Sequence, residues 1–383
     1  MIVERDIAAF AFPFAAATAA ALWYSGLSSH PTAVPAVVSF LACSILLSGL
    51  VFIVSSGSHG LNSFNTDKSG GYRLMILIMA TAACTGLTCG FSGVLLSISE
   101  CEGSLMKIAG RFGESMQEAI DSIEFRKEQT GALVKALLTG NRTSLTSETI
   151  QVFRNSGASH ILALSGLHLG IIYGIMKKIL SLAGGSRSVR ILGSILCIAI
   201  CGFYTLSTGA GDSITRAFIF IVTGETASLL MRTRRLSRIL MTGLIIHLAL
   251  MPRSISSISF QLSYAAMAGI AWLYPSIRDL WVMSPAEKKY GAGILNKIWD
   301  MAALSISCQA SAGIVAWFYF GTFPQYFLLT NLLAAPIAVV LIPSALLCLT
   351  FSALFGTCPH IFLTITEFLA SAMTFILEII AGL

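Results

Sequence analysis

The stretch HILALSGLHLG, from His160 to Gly170, decides how this chain folds. It places two histidines, a serine and two glycines inside an apolar run that is long enough to enter a bilayer. Lipid offers no hydrogen bonds, so an imidazole or hydroxyl there costs free energy unless it faces a protein partner, a cavity or water. The pair Ser165 and Gly166 also marks a place where a membrane helix can bend. The stretch therefore predicts functional polar groups at membrane depth.

The composition indicates an integral membrane protein. Of the 383 residues, 55% are hydrophobic. Only 11% are charged, against roughly 25% in a soluble domain. The mean hydropathy of +0.81 is strongly positive. These values exclude a water-soluble globule that carries incidental apolar patches.

Apolar stretches of about 17–25 residues mark helices that cross a bilayer. The sequence contains about eleven of them, so the predicted fold class is all-α, a polytopic helical bundle. The predicted spans are 7–24, 34–54, 74–98, 161–182, 189–206, 214–231, 236–251, 258–274, 301–320, 327–351 and 359–380. Pro336 and Pro343 interrupt the tenth span, which is therefore predicted to be kinked, broken or re-entrant.

The basic residues predict the orientation. With a cytoplasmic N-terminus, fifteen of the 24 Lys and Arg residues lie on the inner side and two lie in short outer loops. The other seven lie in the long polar segment 99–159, which the positive-inside rule does not govern. This asymmetry predicts N-terminal helices over 1–98, an extracytoplasmic segment over 99–159 and a membrane domain over 160–383.

The extracytoplasmic segment is predicted to be mostly helical. Its acidic and basic residues are mixed, so it is not an electropositive surface. Apolar residues recur from Leu105 to Ile123 at helical spacing. This pattern fits either an amphipathic helix on the membrane surface or a helical connector packed on the bundle.

Several polar residues in later spans are candidates for function. Asp212 and Arg216 lie four residues apart, so on a helix they face the same way and can neutralise each other. Glu225 lies deeper in the same span, and Gln261 opens the eighth one. Each could serve only as an interhelical hydrogen-bonding group, but their number favours a polar pathway.

An intramembrane hydrolase is the enzymatic alternative. Ser165 and His168 lie three residues apart, close enough on a helix for their side chains to meet. Nucleophilic catalysis also needs a group that orients the base and donors for the oxyanion, and this stretch carries no acid. His160 and His168 alone cannot hold a metal, and there is no phosphate-binding GxxxxGK[ST] loop. We therefore expect no enzymatic activity and no cofactor.

The chain resembles the ComEC-type competence proteins in four blocks that occur in the family's order. The first is HILALSGLHLG with the preceding Gly157. The others are YTLSTGAGDSITRAFIF (Tyr204–Phe220), SISFQLSYAAMAG (Ser257–Gly269) and NLLAAPIAVVLIP (Asn331–Pro343). The resemblance covers about Thr130 to Pro343 and implies a multi-pass protein of the bacterial cytoplasmic (inner) membrane.

The resemblance implies a channel that passes single-stranded DNA into the cytoplasm during natural transformation. A polyanion needs a wet, polar-lined route through hydrocarbon. The residues expected to line or shape this route are His160, Ser165, Gly166, His168, Asp212, Arg216, Glu225, Gln261 and Asn331. Glu225 lies outside the matching blocks and is included because it lies deep within a predicted span. The implied partners are single-stranded DNA, the lipid bilayer, an extracytoplasmic DNA receptor and a cytoplasmic helicase or translocase. A separate nuclease and an oligomer are also compatible with the family.

The sequence departs from the family's fuller members in two respects. Many members carry a metallo-β-lactamase-like domain, but no HxHxDH-like cluster is present here, so we expect no nuclease activity from this chain. Members also carry an OB-fold-like outer domain, which segment 99–159 matches poorly. A transporter of a smaller polar or anionic solute is the alternative function on the same fold.

Overall fold

The computed structural model describes residues 2–27, 78–90, 104–182, 184, 186–230, 235–281, 292–321 and 326–383. Within these ranges the chain is helical and contains no strand. The α-helices are α1 (Ile2–Leu27), α2 (Ile78–Gly90), α3 (Ser104–Asp121), α4 (Glu128–Thr139), α5 (Ser147–Asn155), α6 (Ser159–Leu162), α7 (Gly166–Leu182), α8 (Arg187–Ser207), α9 (Asp212–Leu229), α10 (Leu236–Leu250), α11 (Ile258–Trp272), α12 (Tyr274–Arg278), α13 (Ala292–Phe320), α14 (Phe327–Phe355) and α15 (His360–Ala381). A short 3-10 helix covers Pro252–Ser256.

The predicted all-α membrane fold is confirmed at this coarse level. In the described part of the chain, four helices are long and apolar enough to cross a membrane: α8, α13 from Leu295, α14 and α15. The shorter apolar helices Ile7–Trp23, Ile78–Gly90 and Leu236–Leu250 match three further predicted spans. The predicted span 34–54 lies outside the described residues, and only 78–90 of span 74–98 lies within them.

The tenth predicted span is one continuous helix rather than a broken or re-entrant one. Helix α14 runs for 29 residues and contains both Pro336 and Pro343. Membrane helices tolerate proline where neighbouring groups satisfy the freed carbonyls. Close packing supports α14, because nine of its residues, including Ala338 and Leu341, are buried.

The chain divides into two compact units, of which the first comprises residues 1–101 and 233–264. In this unit α1 packs directly against α2. The Thr18 hydroxyl donates to the Gly86 carbonyl at 3.1 Å. A Cβ at Gly86 would lie 2.2 Å from the Phe14 carbonyl oxygen, so only glycine permits this approach.

The second unit comprises residues 102–232 and 265–383, and α4 lies in its core. Eight of the twelve α4 residues are buried. One face of α4, with Leu133 and Leu137, joins a cluster contributed by α14 and α15. The opposite face, with Val134 and Leu138, joins a cluster contributed by α3, α8, α9 and α14. Helix α4 is therefore a core element, although it belongs to the long polar segment.

Helix α3 is amphipathic, as its spacing predicts. Leu105, Ile108 and Phe112 are exposed on one side. The helix also packs on α8: the Phe112 and Phe203 ring centroids are 5.2 Å apart, and Gly113 is buried against Ser207. Helix α3 thus contacts the bundle and leaves an apolar strip exposed.

Two glycines of α3 provide a matched test of this packing. A Cβ at Gly113 would lie 2.2 Å from the Ser207 carbonyl oxygen, whereas one at Gly110 meets nothing within 4 Å. We expect Gly113→Ala to lower the Tm in detergent because backbone must move. Gly110→Ala should leave Tm unchanged or raise it, because alanine favours a helix by roughly 1 kcal/mol. Equal Tm values for the two variants would contradict the α3–α8 contact.

Candidate functional site

The helix is interrupted inside HILALSGLHLG. The short helix α6 ends at Leu162, Ala163 is extended with ψ of 135°, and α7 begins at Gly166. The predicted span 161–182 is therefore shortened at its beginning. The Ser165 hydroxyl accepts a hydrogen bond from the Leu167 N–H at 3.3 Å and so helps to cap α7. The predicted bend at Ser165 and Gly166 is thus a full break between two helices.

Two glycines shape this break. Gly157 has φ of +78°, a left-handed conformation that permits the turn before α6. Gly166, the first residue of α7, lies against α9: a Cβ there would be 3.4 Å from the Ala217 Cβ. The start of α7 is therefore held against the first half of α9.

His168 is buried beneath the break, with 1% of its surface exposed. Its Nδ1 accepts a hydrogen bond from the Ser165 backbone N–H at 3.2 Å, so in the neutral ring the proton is on Nε2. Nε2 has no hydrogen-bond partner in the part of the chain that the structure describes. A buried donor left in this state costs about 1–3 kcal/mol, which makes it a candidate contact for water or a transported group.

Ser165 and His168 meet, as the hydrolase hypothesis requires. The Ser165 Oγ lies 3.1 Å from Nδ1 of His168. That nitrogen already accepts the Ser165 N–H, and no acid among the described residues hydrogen-bonds to Nε2 to orient the ring. The geometry therefore fits a helix cap better than a nucleophile with its base.

His160 and Asn331 form a second polar pair near the break. The exposed His160 ring places Nδ1 3.0 Å from the Gly157 carbonyl oxygen. The Asn331 side chain lies near this ring, one turn along α14 from Phe327, whose ring centroid is 5.7 Å from that of His160. Beside it, the Thr330 hydroxyl donates to the Ser156 carbonyl at 2.5 Å. The structure therefore brings His160 and Asn331 together, although they lie far apart in sequence.

Glu225 lies in a separate cluster where α7, α8 and α9 meet. Its side chain is fully buried and accepts hydrogen bonds from three groups. Lys177 Nζ donates at 2.8 Å, Ser194 Oγ donates at 2.5 Å and the Tyr173 hydroxyl donates to the other carboxylate oxygen. The carboxylate thus ties three helices together and is not itself exposed to a pathway.

Asp212 and Arg216 occupy the first two turns of α9. Asp212 is exposed, whereas Arg216 is 2% exposed despite its length and charge. Gln261 belongs to the first unit, where its Nε2 donates to the Ile255 carbonyl at 3.1 Å.

The sequence alone did not reveal the partners of Glu225. Lys177 is one of the fifteen basic residues that the sequence places on the inner side, and the sequence does not show that it pairs with a buried carboxylate. Its spacing of four from Tyr173 nevertheless places both side chains on one face of α7. Glu367, which lies within a predicted span, was also missed, although an ionisable residue at that depth is a functional candidate.

The described residues contain no group of three or more His, Cys, Asp or Glu side chains that could hold a metal ion. The polar groups around the break are instead hydroxyls, amides and imidazoles. Such groups suit contact with water or with a hydrated solute.

Comparison with known proteins agrees with the resemblance seen in the sequence. The family model described as Competence protein matches residues 137–383, which is more than half of the chain. The chain belongs to this family. It is 30% identical over 138 residues to ComE operon protein 3 of Bacillus subtilis (strain 168), a match covering 36% of this chain and 17% of that protein. The chain thus aligns with under a fifth of that relative. No solved structure matches.

The Glu225 cluster predicts strong coupling among the three helices α7, α8 and α9. In Glu225→Gln the amide NH₂ would face donors, so we expect a lower Tm in detergent and a cost of about 3 kcal/mol. Lys177 is 35% exposed, so water screens part of this loss. The double variant Glu225→Gln with Lys177→Met should melt above the single variant, because one opposing donor is gone.

The matched control is Glu118→Gln on the exposed side of α3. It should change stability by no more than about 0.5 kcal/mol. If Glu225→Gln behaves like this control, the carboxylate does not hold the three helices together.

Proposed function

We propose that this chain is an inner-membrane channel that transports single-stranded DNA into the cytoplasm during natural transformation. Membership of the Competence protein family and the all-helical, apolar fold support this proposal. It includes about eleven spans with a cytoplasmic N-terminus, as the distribution of basic residues indicates. We also propose that the channel itself catalyses no reaction.

The observation that carries the proposal is the break at Ala163–Ser165. It places irregular backbone and the buried His168 Nε2–H within a membrane protein. Backbone of this kind is stable at membrane depth only where protein covers it or water reaches it. Discontinuous helices of this type form substrate sites in many transporters. Nε2 of His168 is buried, so the proposal includes an opening of the break that lets this N–H donate to a phosphate oxygen of the strand.

The channel needs other components to work. The sequence contains no GxxxxGK[ST] phosphate-binding loop. The energy for import would therefore come from a cytoplasmic helicase or translocase. Capture of DNA would rest with an extracytoplasmic receptor. A smaller polar or anionic solute is the competing cargo, and the experiment below separates the two.

The test is DNA uptake in the source cell after deletion of the gene and complementation with variants. We expect His168→Ala to reduce entry of labelled DNA into the cytoplasm about tenfold or more, because a hydrogen bond to a charged group contributes about 1.5–3 kcal/mol. His168→Gln retains an N–H near the Nε2 position and should retain part of the uptake. DNA should still bind outside the cell in every variant.

Glu118→Gln serves as the uptake control, and the amount of protein in the membrane is measured for each variant. Undiminished uptake in the deletion strain, in cells shown to be competent, would refute the DNA channel and favour the solute transporter. Normal uptake with His168→Ala would show that His168 does not contact the transported strand.

A further inference from the structure

Helix α15 has three distinct faces along its length. Thr366, Ala370, Met373 and Leu377 are buried in the core. A second face is apolar and exposed, with Phe368 and Phe375 exposed by 70% and 62%. The third face, here called the polar stripe, recurs at intervals of three or four residues and consists of His360, Thr364, Glu367, Ser371, Thr374 and Glu378. A helix in contact only with lipid and protein core has no need of such a stripe.

The stripe extends along a helix that is long enough to cross a bilayer. Helix α15 has 22 residues and is long and apolar enough to cross a bilayer. At 1.5 Å per residue it extends about 33 Å, close to the thickness of the hydrocarbon core. Glu367 is the eighth residue and Ser371 the twelfth, so Ser371 lies roughly 17 Å from the start of the helix, near its middle.

A charged loop is packed against the stripe at this depth. The loop 122–127, between α3 and α4, has no regular structure, and Arg126 and Lys127 are exposed. The Arg126 backbone N–H donates to Glu367 Oε1 at 2.6 Å. Lys127 Nζ donates to Ser371 Oγ at 3.3 Å. The loop therefore contacts the first half of a helix that can span the membrane. The basic residues predict that segment 99–159 lies outside the cytoplasm and that α15 begins on the inner side, so we infer that this loop enters the bilayer region from the outer segment.

The two cationic groups contact neutral partners. The Arg126 guanidinium, which can only donate, lies 3.0 Å from His360 Nε2, so that nitrogen accepts and the ring is neutral. The other ring nitrogen, Nδ1, lies 3.2 Å from the Thr364 hydroxyl oxygen. Lys127 bonds to a serine. These contacts orient both cations along the stripe, beside the carboxylate of Glu367.

Irregular, exposed and charged backbone does not occur against lipid, because its polar groups could not be hydrated. We propose that the polar stripe of α15 and the loop 122–127 form one wall of a water-filled cavity at bilayer depth. A second part of the proposal rests on the proposed function. In it, Arg126 and Lys127 are the cations that contact the phosphates of the DNA strand in this cavity.

Cysteine reactivity tests the cavity. Ser371→Cys lies on the stripe, and Ile365→Cys, about 120° around the helix on the exposed apolar side, is the matched control. A charged, membrane-impermeant methanethiosulfonate is applied to the full chain in native membranes, and modification is read from the mass of the peptide that carries each position. Lipid keeps a thiol protonated because it raises the pKa of the thiol. Each unit of increase in pKa lowers the fraction of reactive thiolate about tenfold.

We expect Ser371→Cys to be modified at least about tenfold faster than Ile365→Cys, and a single-stranded oligonucleotide to slow the modification. An unreactive Ser371→Cys would overturn the cavity, and it would do so without bearing on DNA transport, because this measurement needs no DNA. Modification that the oligonucleotide leaves unchanged would overturn the assignment of Arg126 and Lys127 to the strand. DNA uptake, measured separately, decides the proposed function itself.

Discussion

The fold depends on one constraint: at bilayer depth, every polar group must find a partner in the protein or in water. The structure meets this constraint in two ways. Glu225 is enclosed by donors from α7 and α8, so its charge serves to join helices. At the break, by contrast, the Nε2–H of the buried His168 has no partner among the described residues. The first arrangement gives stability, and the second provides a group that can act on something that passes.

Helix α4 positions the surrounding elements of the second unit. Because both of its faces are buried, it separates two apolar clusters and fixes the loop before it against α15. The Tyr204 hydroxyl on α8 donates to the Leu138 carbonyl at 2.6 Å, which anchors the end of the same helix. A short helix from a polar segment thus positions a charged loop beside a long apolar one.

The sequence predicted the features that depend on local composition, and it predicted poorly those that depend on distant contacts. The apolar lengths predicted helices such as α8 and α15, and Ser165 with Gly166 predicted the bend that is now seen as a break. The core position of α4 was missed because Glu128 and Lys135 lower its hydropathy, although eight of its residues are buried. The Glu225 cluster was missed because three helices contribute to it. Pro336 and Pro343 predicted a kinked, broken or re-entrant span, and α14 is neither broken nor re-entrant because its packing supports a continuous helix.

The central claim, that the chain passes a DNA strand, is tested most directly with the protein reconstituted in vesicles. A labelled single-stranded oligonucleotide is driven across the bilayer by an imposed potential, and the label that survives external nuclease is counted. The account predicts protected oligonucleotide with wild type and much less with His168→Ala. Vesicles that admit small polar or anionic solutes while all oligonucleotide stays outside would contradict the claim and identify a solute transporter.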